Sequence, residues 1–391
     1  MEKIRIGIIG YGNIGSVHAQ SIASGLIKGL ELTAVCDIQE CRLNQAKESF
    51  PDVGLFADYR ELLDSGAVDA VLIATPHYLH PPIAVAAFQK GLHVLIEKPA
   101  GVYTRQVKLM NEAAEKSGRV FGIMFNQRTH PLFRQARDMV RTGRLGRPKR
   151  LVWIITNWYR TQAYYDSGGW RGTWSGEGGG VLINQAPHNI DLWQWIFGLP
   201  SRLRAFCYHG KYHNIEVEDE AAIYAEYKNG ATATFLTSTG ESPGTNRLEI
   251  TGDLGKIVIE SGKLRFWELA ESERSFCFTD RTGTATPPYT YHEFEPQPAG
   301  NAHLKILQNF ANAILHGEEL IAPGHEGINQ LQISNAAYLS AWNDSWVDLP
   351  VDDDVFFEYL KERIEKSEHK ETLSCEPVKL SGYQNRWEIK W

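Results

Sequence analysis

The chain has 391 residues, 43% hydrophobic and 22% charged, with a net charge of -7. This length exceeds one ordinary core and reads as a globular protein of two domains, while the acidity argues against nucleic acid or an anionic membrane surface as partner. No apolar run approaches the roughly 18 residues of a membrane span, and the cysteines at 36, 41, 207, 277 and 375 are odd in number and never C-x-x-C, which reads as reduced thiols of a cytoplasmic protein without a disulfide framework or structural zinc.

Residues 3–9 alternate as a buried strand. Gly10-Tyr-Gly12-Asn13-Ile14-Gly15 follows at once and opens a helix that runs to about residue 24. A G-x-G-x-x-G between strand and helix has a physical reading. The first glycine makes the turn, the second lets backbone reach a pyrophosphate, and the third lets helix and strand pack closely. Asn13 and Ile14 belong to the helix start, whose free N–H groups face the phosphates. A second strand, 30–36, ends on Asp37, where a ribose-binding acid is expected.

The alternation continues with helices over 39–49 and 59–65 and a strand over 70–74 that runs into Thr75-Pro76-His77-Tyr-Leu-His80. A helix over 81–90 starts with proline, where proline is tolerated. A strand over 93–96 runs into Glu97-Lys98-Pro99, and a helix over 104–117 and a strand over 120–124 complete the pattern. This rhythm predicts an α/β protein whose N-terminal domain, 1–124, is a Rossmann doubly wound parallel sheet. Ligands bind such sheets at the carboxyl ends of the strands. Gly10, Asp37, Thr75 and Lys98 all fall at such ends.

From residue 125 the character changes. A helix over 131–142 and a strand over 151–159 precede a loop, 160–177, rich in Tyr, Trp, Gly and Arg. Three glycines, 178–180, then open an amphipathic stretch ending at Gly198. Asn184 and His188 stand four apart on it, one face of a helix, with Pro187 expected to kink the turn between them. Strands over 221–227, 231–238, 247–251 and 256–260 predict a large open, mainly antiparallel sheet. Residues 271–299 read as an irregular excursion, and helices are expected over 303–316, 326–343 and 355–367. The second domain is 125–350, a substrate-binding and oligomerisation α/β domain, followed by a C-terminal helix and extended arm, 351–391. Trp387 and Trp391 need cover, which suits an arm laid on a second subunit; a frayed end fits the pattern equally.

Three motifs in this order resemble the Gfo/Idh/MocA family of NAD(P)-dependent oxidoreductases: Gly10-x-Gly12-x-x-Gly15, Glu97-Lys98-Pro99, and Gly-Gly-Gly…His188-x-x-Asp191. Ala74-Thr75-Pro76…His80 adds to the likeness, which spans roughly residues 1–345. The resemblance implies NAD between the two domains and homodimers or homotetramers formed through the open sheet. It implies a cis Lys98–Pro99 bond, and Lys98 and His188 as the catalytic pair. The cofactor-binding set is then Gly10, Gly12, Asn13, Ile14, Gly15, Asp37, Thr75, Pro76, His77, His80, Glu97 and Lys98. Within it, His77 and His80 read as loop and packing residues near the cofactor. The substrate-binding set is Lys98, Asn126, Tyr165, Trp170, Arg171, Asn184 and His188, with no metal. One position departs: the family often has Asp where this chain has Asn184. Asn cannot act as a base and can only orient substrate or His188.

Oxidising a secondary alcohol removes a hydroxyl proton while a hydride leaves the same carbon. A histidine near its ordinary pKa of about 6.5 suits the proton, and a lysine beside the oxygen stabilises its negative charge. Aromatic faces interleaved with Arg and Asp over 158–174 suit a pyranose ring. The expected function is hydride transfer between NAD and a secondary hydroxyl of a sugar, glycoside or cyclitol, giving a keto-sugar. Asp37 favours NAD over NADP, softened by Arg42 nearby. Two other readings compete: NAD-dependent glycoside cleavage through a 3-oxo intermediate, and a non-enzymatic dinucleotide-binding regulator. Intact Lys98 and His188 argue against the regulator.

Overall fold

Two β-sheets are built from separate stretches of the chain in the computed structural model, which describes residues 3–296 and 300–368. The first holds β1 (Ile4–Ile9), β2 (Leu30–Cys36), β3 (Gly54–Phe56), β4 (Ala70–Ile73), β5 (His93–Ile96) and β6 (Phe121–Ile123). All pairs are parallel, in the order 3-2-1-4-5-6. Parallel strands need crossovers, supplied by α1 (Asn13–Ala23), α2 (Glu40–Ser49), α3 (Tyr59–Asp64), α4 (His80–Gln89) and α5 (Thr104–Ser117). Helices therefore cover both faces, so the strand centres are apolar: Ile6, Ile8, Val71, Leu72, Val94 and Leu95 are fully buried. The strand order reverses between β1 and β4, which opens the crevice where such sheets bind ligands.

After α6 (Pro131–Arg141), β7 (Pro148–Ile155), α7 (Gln162–Asp166) and α8 (Pro187–Phe197) the chain runs mostly in strands. These are β8 (Arg202–His209), β9 (Glu218–Glu226), β10 (Thr232–Ser238), β11 (Asn246–Gly252), β12 (Gly255–Glu260) and β13 (Lys263–Leu269). Then come α9 (Glu273–Thr279), β14 (Tyr289–Phe294), α10 (Ala302–His316), α11 (Gly327–Asn343), β15 (Val347–Asp348) and α12 (Asp353–Lys366). The second sheet has nine strands in the order 14-13-12-11-7-10-9-8-15. Only β7 and β10 pair in parallel. One face is packed, with α11 against β8, and the other is open. Ala221, Ile223 and Ala225 of β9 are buried, whereas Tyr224 between them is exposed, the alternation of a sheet covered on one side.

Several expectations change in detail. The strand expected over 151–159 spans 148–155: the Thr156 N–H still reaches the Thr245 carbonyl at 2.8 Å, but the Thr245 N–H turns to the Thr156 hydroxyl at 2.9 Å in place of a backbone carbonyl. The segment 271–299 is not merely irregular: it contains α9 and β14, which extends the sheet beside β13. Tyr289, Thr290 and Tyr291 are all exposed, so no apolar alternation marks that strand. Cys36, Cys207 and Cys277 are free thiols, but Cys41 is disulfide-bonded, which corrects the expectation of five reduced cysteines. Spacing excludes C-x-x-C pairs and says nothing of bridges between distant residues. The extended arm with Trp387 and Trp391 lies outside the described residues. Among those described, no helix is long and apolar enough to cross a membrane.

Between β6 and α6 a short 3-10 turn, Asn126–Thr129, carries Arg128. Its side chain is fully buried and forks onto Asp191 of α8, Nε to Oδ2 at 2.8 Å and Nη2 to Oδ1 at 2.6 Å. Nη1 reaches Glu326, just before α11. The guanidinium also lies 5.4 Å from the ring centres of Phe125 and Trp195. One cation thus ties the exit of the first sheet to two helices of the second unit. Removing one partner of a buried pair strands the other charge at a cost of about 3–5 kcal/mol. Asp191→Ala should lower unfolding stability by that amount in urea titration, and Asp191→Leu with Arg128→Met should recover much of it. An Asp191→Ala midpoint equal to that of the unaltered protein would remove this role.

Candidate active site

The crevice side of the first sheet is shaped by glycines. Gly10 has φ +93°, and a Cβ there would meet the Ala74 carbonyl at 2.7 Å. A Cβ on Gly15 would meet the Gly10 carbonyl at 1.9 Å, so α1 packs on its own entry loop. A Cβ on Gly12 would meet nothing within 4 Å, since that backbone faces open space. Asn13 and Ile14 start α1, with no side-chain cap and no acidic residue in its first turn. Its N–H groups are therefore free for an anion. Asp37, at the end of β2, accepts from Tyr11 N at 2.8 Å and Gln39 N at 2.9 Å, which aims a fixed carboxylate beside the glycine loop. These features fit a dinucleotide.

After β4, the Thr75 hydroxyl is buried without a hydrogen-bond partner among the described residues. Pro76 caps a one-turn helix that carries His77. His80 bonds two carbonyls, Thr75 at 2.7 Å and Pro99 at 2.8 Å, and so ties this loop to the next strand's end. His77 Nδ1 lies 2.9 Å from the Glu177 carbonyl, and its ring meets Trp170 edge-on at 5.4 Å. His77 thus joins the first unit to the second, while His80 braces the loop within the first.

The Lys98–Pro99 bond is cis. Glu97 is buried; its Oε1 meets His18 Nε2 at 2.7 Å and its Oε2 accepts Lys98 N at 3.1 Å. Burial alone would raise this carboxyl, but the His18 bond and nearby positive charge hold it down at about 2. Lys98 Nζ donates to the Asn184 carbonyl at 2.7 Å. Burial lowers its pKa to about 8; Glu97 and Glu177 act upward, Arg171 and Arg160 downward.

His188 sits in the first turn of α8, 6% exposed, with the Phe125 ring edge-on at 6.2 Å. Burial and then the Lys98 charge press its pKa well below the ordinary value, and Nδ1 has no partner among the described residues. It is a neutral imidazole at pH 7, not the group near 6.5 that residue type alone suggests. The expected kink is absent as well. Helix α8 begins at Pro187, where the missing N–H is an orphan anyway. Asn184 lies on the preceding turn, its N–H 2.9 Å from the Gly180 carbonyl, and its amide faces Tyr164 and Glu177 instead of His188.

Arg171 lies between Tyr164 and Trp170, 4.4 Å from each ring centre, and donates to the Tyr164 hydroxyl at 2.6 Å. Trp170, Arg171, Asn184, Lys98 and His188 are thus brought together. Tyr165 is not: it is fully buried, its hydroxyl 2.9 Å from Thr239 and its ring on His213. Tyr164 takes the place expected of it. Asn126 is buried beside His303 and belongs to a cluster with His18 and Glu97. Tyr164 falls in the aromatic run 158–174 that suits a ring, whereas Glu177, His18 and His303, which the structure sets beside these groups, carry no such mark in the sequence. For Glu177 one signal exists, a lone acid set directly before three glycines.

The loop that carries Asn184 is held by Glu218. Its Oε2 accepts Gly180 N at 2.9 Å; Oε1 accepts Leu182 N and the Tyr338 hydroxyl, both at 2.8 Å. A Cβ at position 180 would lie 1.9 Å from the Glu218 carbonyl, so only glycine allows this approach.

Comparison with known proteins follows the same outline. A family model described as an oxidoreductase family with an NAD-binding Rossmann fold matches residues 4–125, and one described as the GFO/IDH/MocA C-terminal domain matches residues 133–258. Myo-inositol 2-dehydrogenase of Thermotoga maritima is 26% identical over 340 residues, 85% of this chain and 95% of the relative. Levoglucosan dehydrogenase of Pseudarthrobacter phenanthrenivorans is 26% identical over 90% of this chain and 99% of its own. The WlbA dehydrogenase of Bordetella pertussis, solved with NADH and UDP-GlcNAcA, superposes with a TM-score of 0.75 at 26% identity, covering 90% of this chain and 100% of that one.

The Glu218 cradle makes a direct prediction. Glu218→Gln puts an amide N–H against a backbone N–H donor and leaves one buried group unpaired. The expected loss is about 1–3 kcal/mol of unfolding stability. A melting temperature equal to that of the unaltered protein would show that the carboxylate does not hold the loop.

Proposed function

The chain belongs to the GFO/IDH/MocA family of oxidoreductases, and from that premise we propose that it is an NAD-dependent dehydrogenase that oxidises a secondary hydroxyl of a sugar, glycoside or cyclitol to a ketone. The observation that carries this reading is the meeting of Lys98, from the end of β5, with the turn of Asn184 and the buried imidazole of His188. NAD supplies the hydride acceptor when bound; the Gly10–Gly15 loop, the start of α1 and Asp37 would hold it, beside Thr75 and Pro76. The relatives' names, which include inositol and levoglucosan dehydrogenases, support a polyhydroxylated ring as substrate. Trp170, Arg171 and Tyr164 offer that ring an apolar face and hydrogen-bond partners.

In this reading His188, neutral at pH 7, takes the hydroxyl proton. Lys98, with its pKa lowered to about 8, is still an ammonium at pH 7 and steadies the developing negative oxygen. Asn184 orients the substrate through its side-chain oxygen, which can accept from a neighbouring hydroxyl. Residues 1–124 bind cofactor and 125–350 bind substrate, with the open face of the second sheet pairing subunits into a homodimer or homotetramer. Cytoplasmic NAD is the natural supply.

A panel of sugars, glycosides and cyclitols tests the proposal. Net NADH with a keto product is expected; bond cleavage without net NADH, or silence across the panel, overturns it. His188→Ala and Lys98→Ala should each lower kcat by about two to four orders of magnitude. The pH profile has a worked sign. Activity needs His188 deprotonated, so the acid limb of kcat/KM should lie below the ordinary histidine value of about 6.5. Activity needs Lys98 protonated, so kcat/KM should fall as pH rises through about 8. An acid limb at or above the ordinary value contradicts the role of a buried His188. Asp37 is expected to repel a 2′-phosphate by roughly 1–4 kcal/mol, so Asp37→Ser should move the NADP-to-NAD ratio of kcat/KM up by about tenfold or more. Equal use of both cofactors by the unaltered protein would end that claim.

A further inference from the structure

Glu177 is a carboxylate with no exposed surface, directly before the three glycines that lead to Asn184. Every part of it is anchored. Its N–H donates to the Thr173 carbonyl at 3.0 Å, its carbonyl meets His77, and Oε2 accepts Gly172 N at 2.6 Å. Oε1 accepts from Asn184 Nδ2. That amide nitrogen has two hydrogens, and the second goes to the Tyr164 hydroxyl at 3.1 Å. A hydroxyl tolerates either end of an amide, but an ionised carboxylate accepts only N–H. Glu177 therefore decides which way Asn184 points, and Oδ1 is the end left for another donor.

The charges around it are uneven. Arg171 and Arg160 act on Lys98 here, and Tyr164, Tyr165 and His77 also face Glu177. Glu97, the other carboxylate near Lys98, is already bonded to His18. Desolvation leaves the Glu177 carboxyl above the ordinary carboxylate value, although Arg171, the Gly172 N–H, Asn184 and Lys98 act downward.

We propose that Glu177 is the positioning residue of this site: it fixes Asn184 so that Oδ1 accepts the hydrogen of a substrate hydroxyl neighbouring the one that gives its proton to His188, and it adds its negative charge to that of Glu97 opposite Lys98. The family's frequent Asp at position 184 is thereby replaced in two parts, an amide that touches substrate and a carboxylate held behind it. The inference rests on the dehydrogenase reading, but its first test needs no substrate.

Competitive acetylation of Lys98 with acetic anhydride across pH, read by mass spectrometry of its peptide, gives the titration midpoint of that amine in the whole protein. In Glu177→Gln the midpoint should move down, with folding checked by melting. Glu177→Asp guards against a variant that does not fold: it keeps the charge and shortens the reach to Asn184. Its midpoint should stay, while kcat/KM on a substrate found in the panel falls about tenfold, the worth of one lost hydrogen bond. An unmoved Lys98 midpoint in folded Glu177→Gln, or full kcat/KM in Glu177→Asp, overturns the proposal. A protein inactive on every sugar while the Lys98 midpoint shifts as described would instead fault the dehydrogenase reading alone.

Discussion

The ion pair of Arg128 and Asp191 is the constraint on which the site depends. Two charges without solvent are tolerated only when geometry satisfies both, and here the guanidinium fork meets the carboxylate at 2.6 and 2.8 Å. Arg128 comes from the turn that leaves the first sheet, and Asp191 sits three residues after His188 on α8. Phe125, three residues before Arg128, presents its ring edge to His188. One pair thereby places the histidine and the wall it leans on. The same dry setting that makes the ion pair strict keeps the imidazole neutral.

A second consequence is how charge is shared out. Glu97 is answered by His18, Asp191 by Arg128, and Glu218 by three donors from the loop and from Tyr338. Lys98 is different: its ammonium is bonded to a backbone carbonyl, that of Asn184, with carboxylates near it and guanidiniums beyond. A cation held this way keeps donors to offer an incoming oxygen, and desolvation makes its proton easier to give up. The glycine run serves the same end, since Gly180 lets the loop reach the Glu218 backbone closely enough to be clamped.

Much of this was legible in the chain because it reflects local backbone demands. Gly10, Gly12 and Gly15 read as a phosphate turn from spacing alone, and the structure gives Gly10 and Gly15 steric reasons while Gly12 faces open space. Asp37, Thr75 and Lys98 fell at strand ends because the alternation of strands and helices fixes where strands stop. What stayed hidden depends on distant partners. Adjacent Tyr164 and Tyr165 are equivalent in sequence, and only the packing of Tyr165 on His213 and Thr239 sends one to the core and the other to the cleft. The pKa of His188 follows from burial, which residue type does not reveal. Strand β14 shows mostly exposed side chains and so has no apolar rhythm, and the bonding of Cys41 joins residues that spacing cannot relate.

The central claim is that a hydride leaves a sugar carbon for the cofactor while His188 takes the hydroxyl proton. Its most direct test is the fate of deuterium placed on the oxidised carbon of a turned-over substrate, read by mass spectrometry of the cofactor. The account predicts one deuterium on the nicotinamide ring for each ketone formed. Ketone or cleavage product whose cofactor carries no deuterium would contradict it.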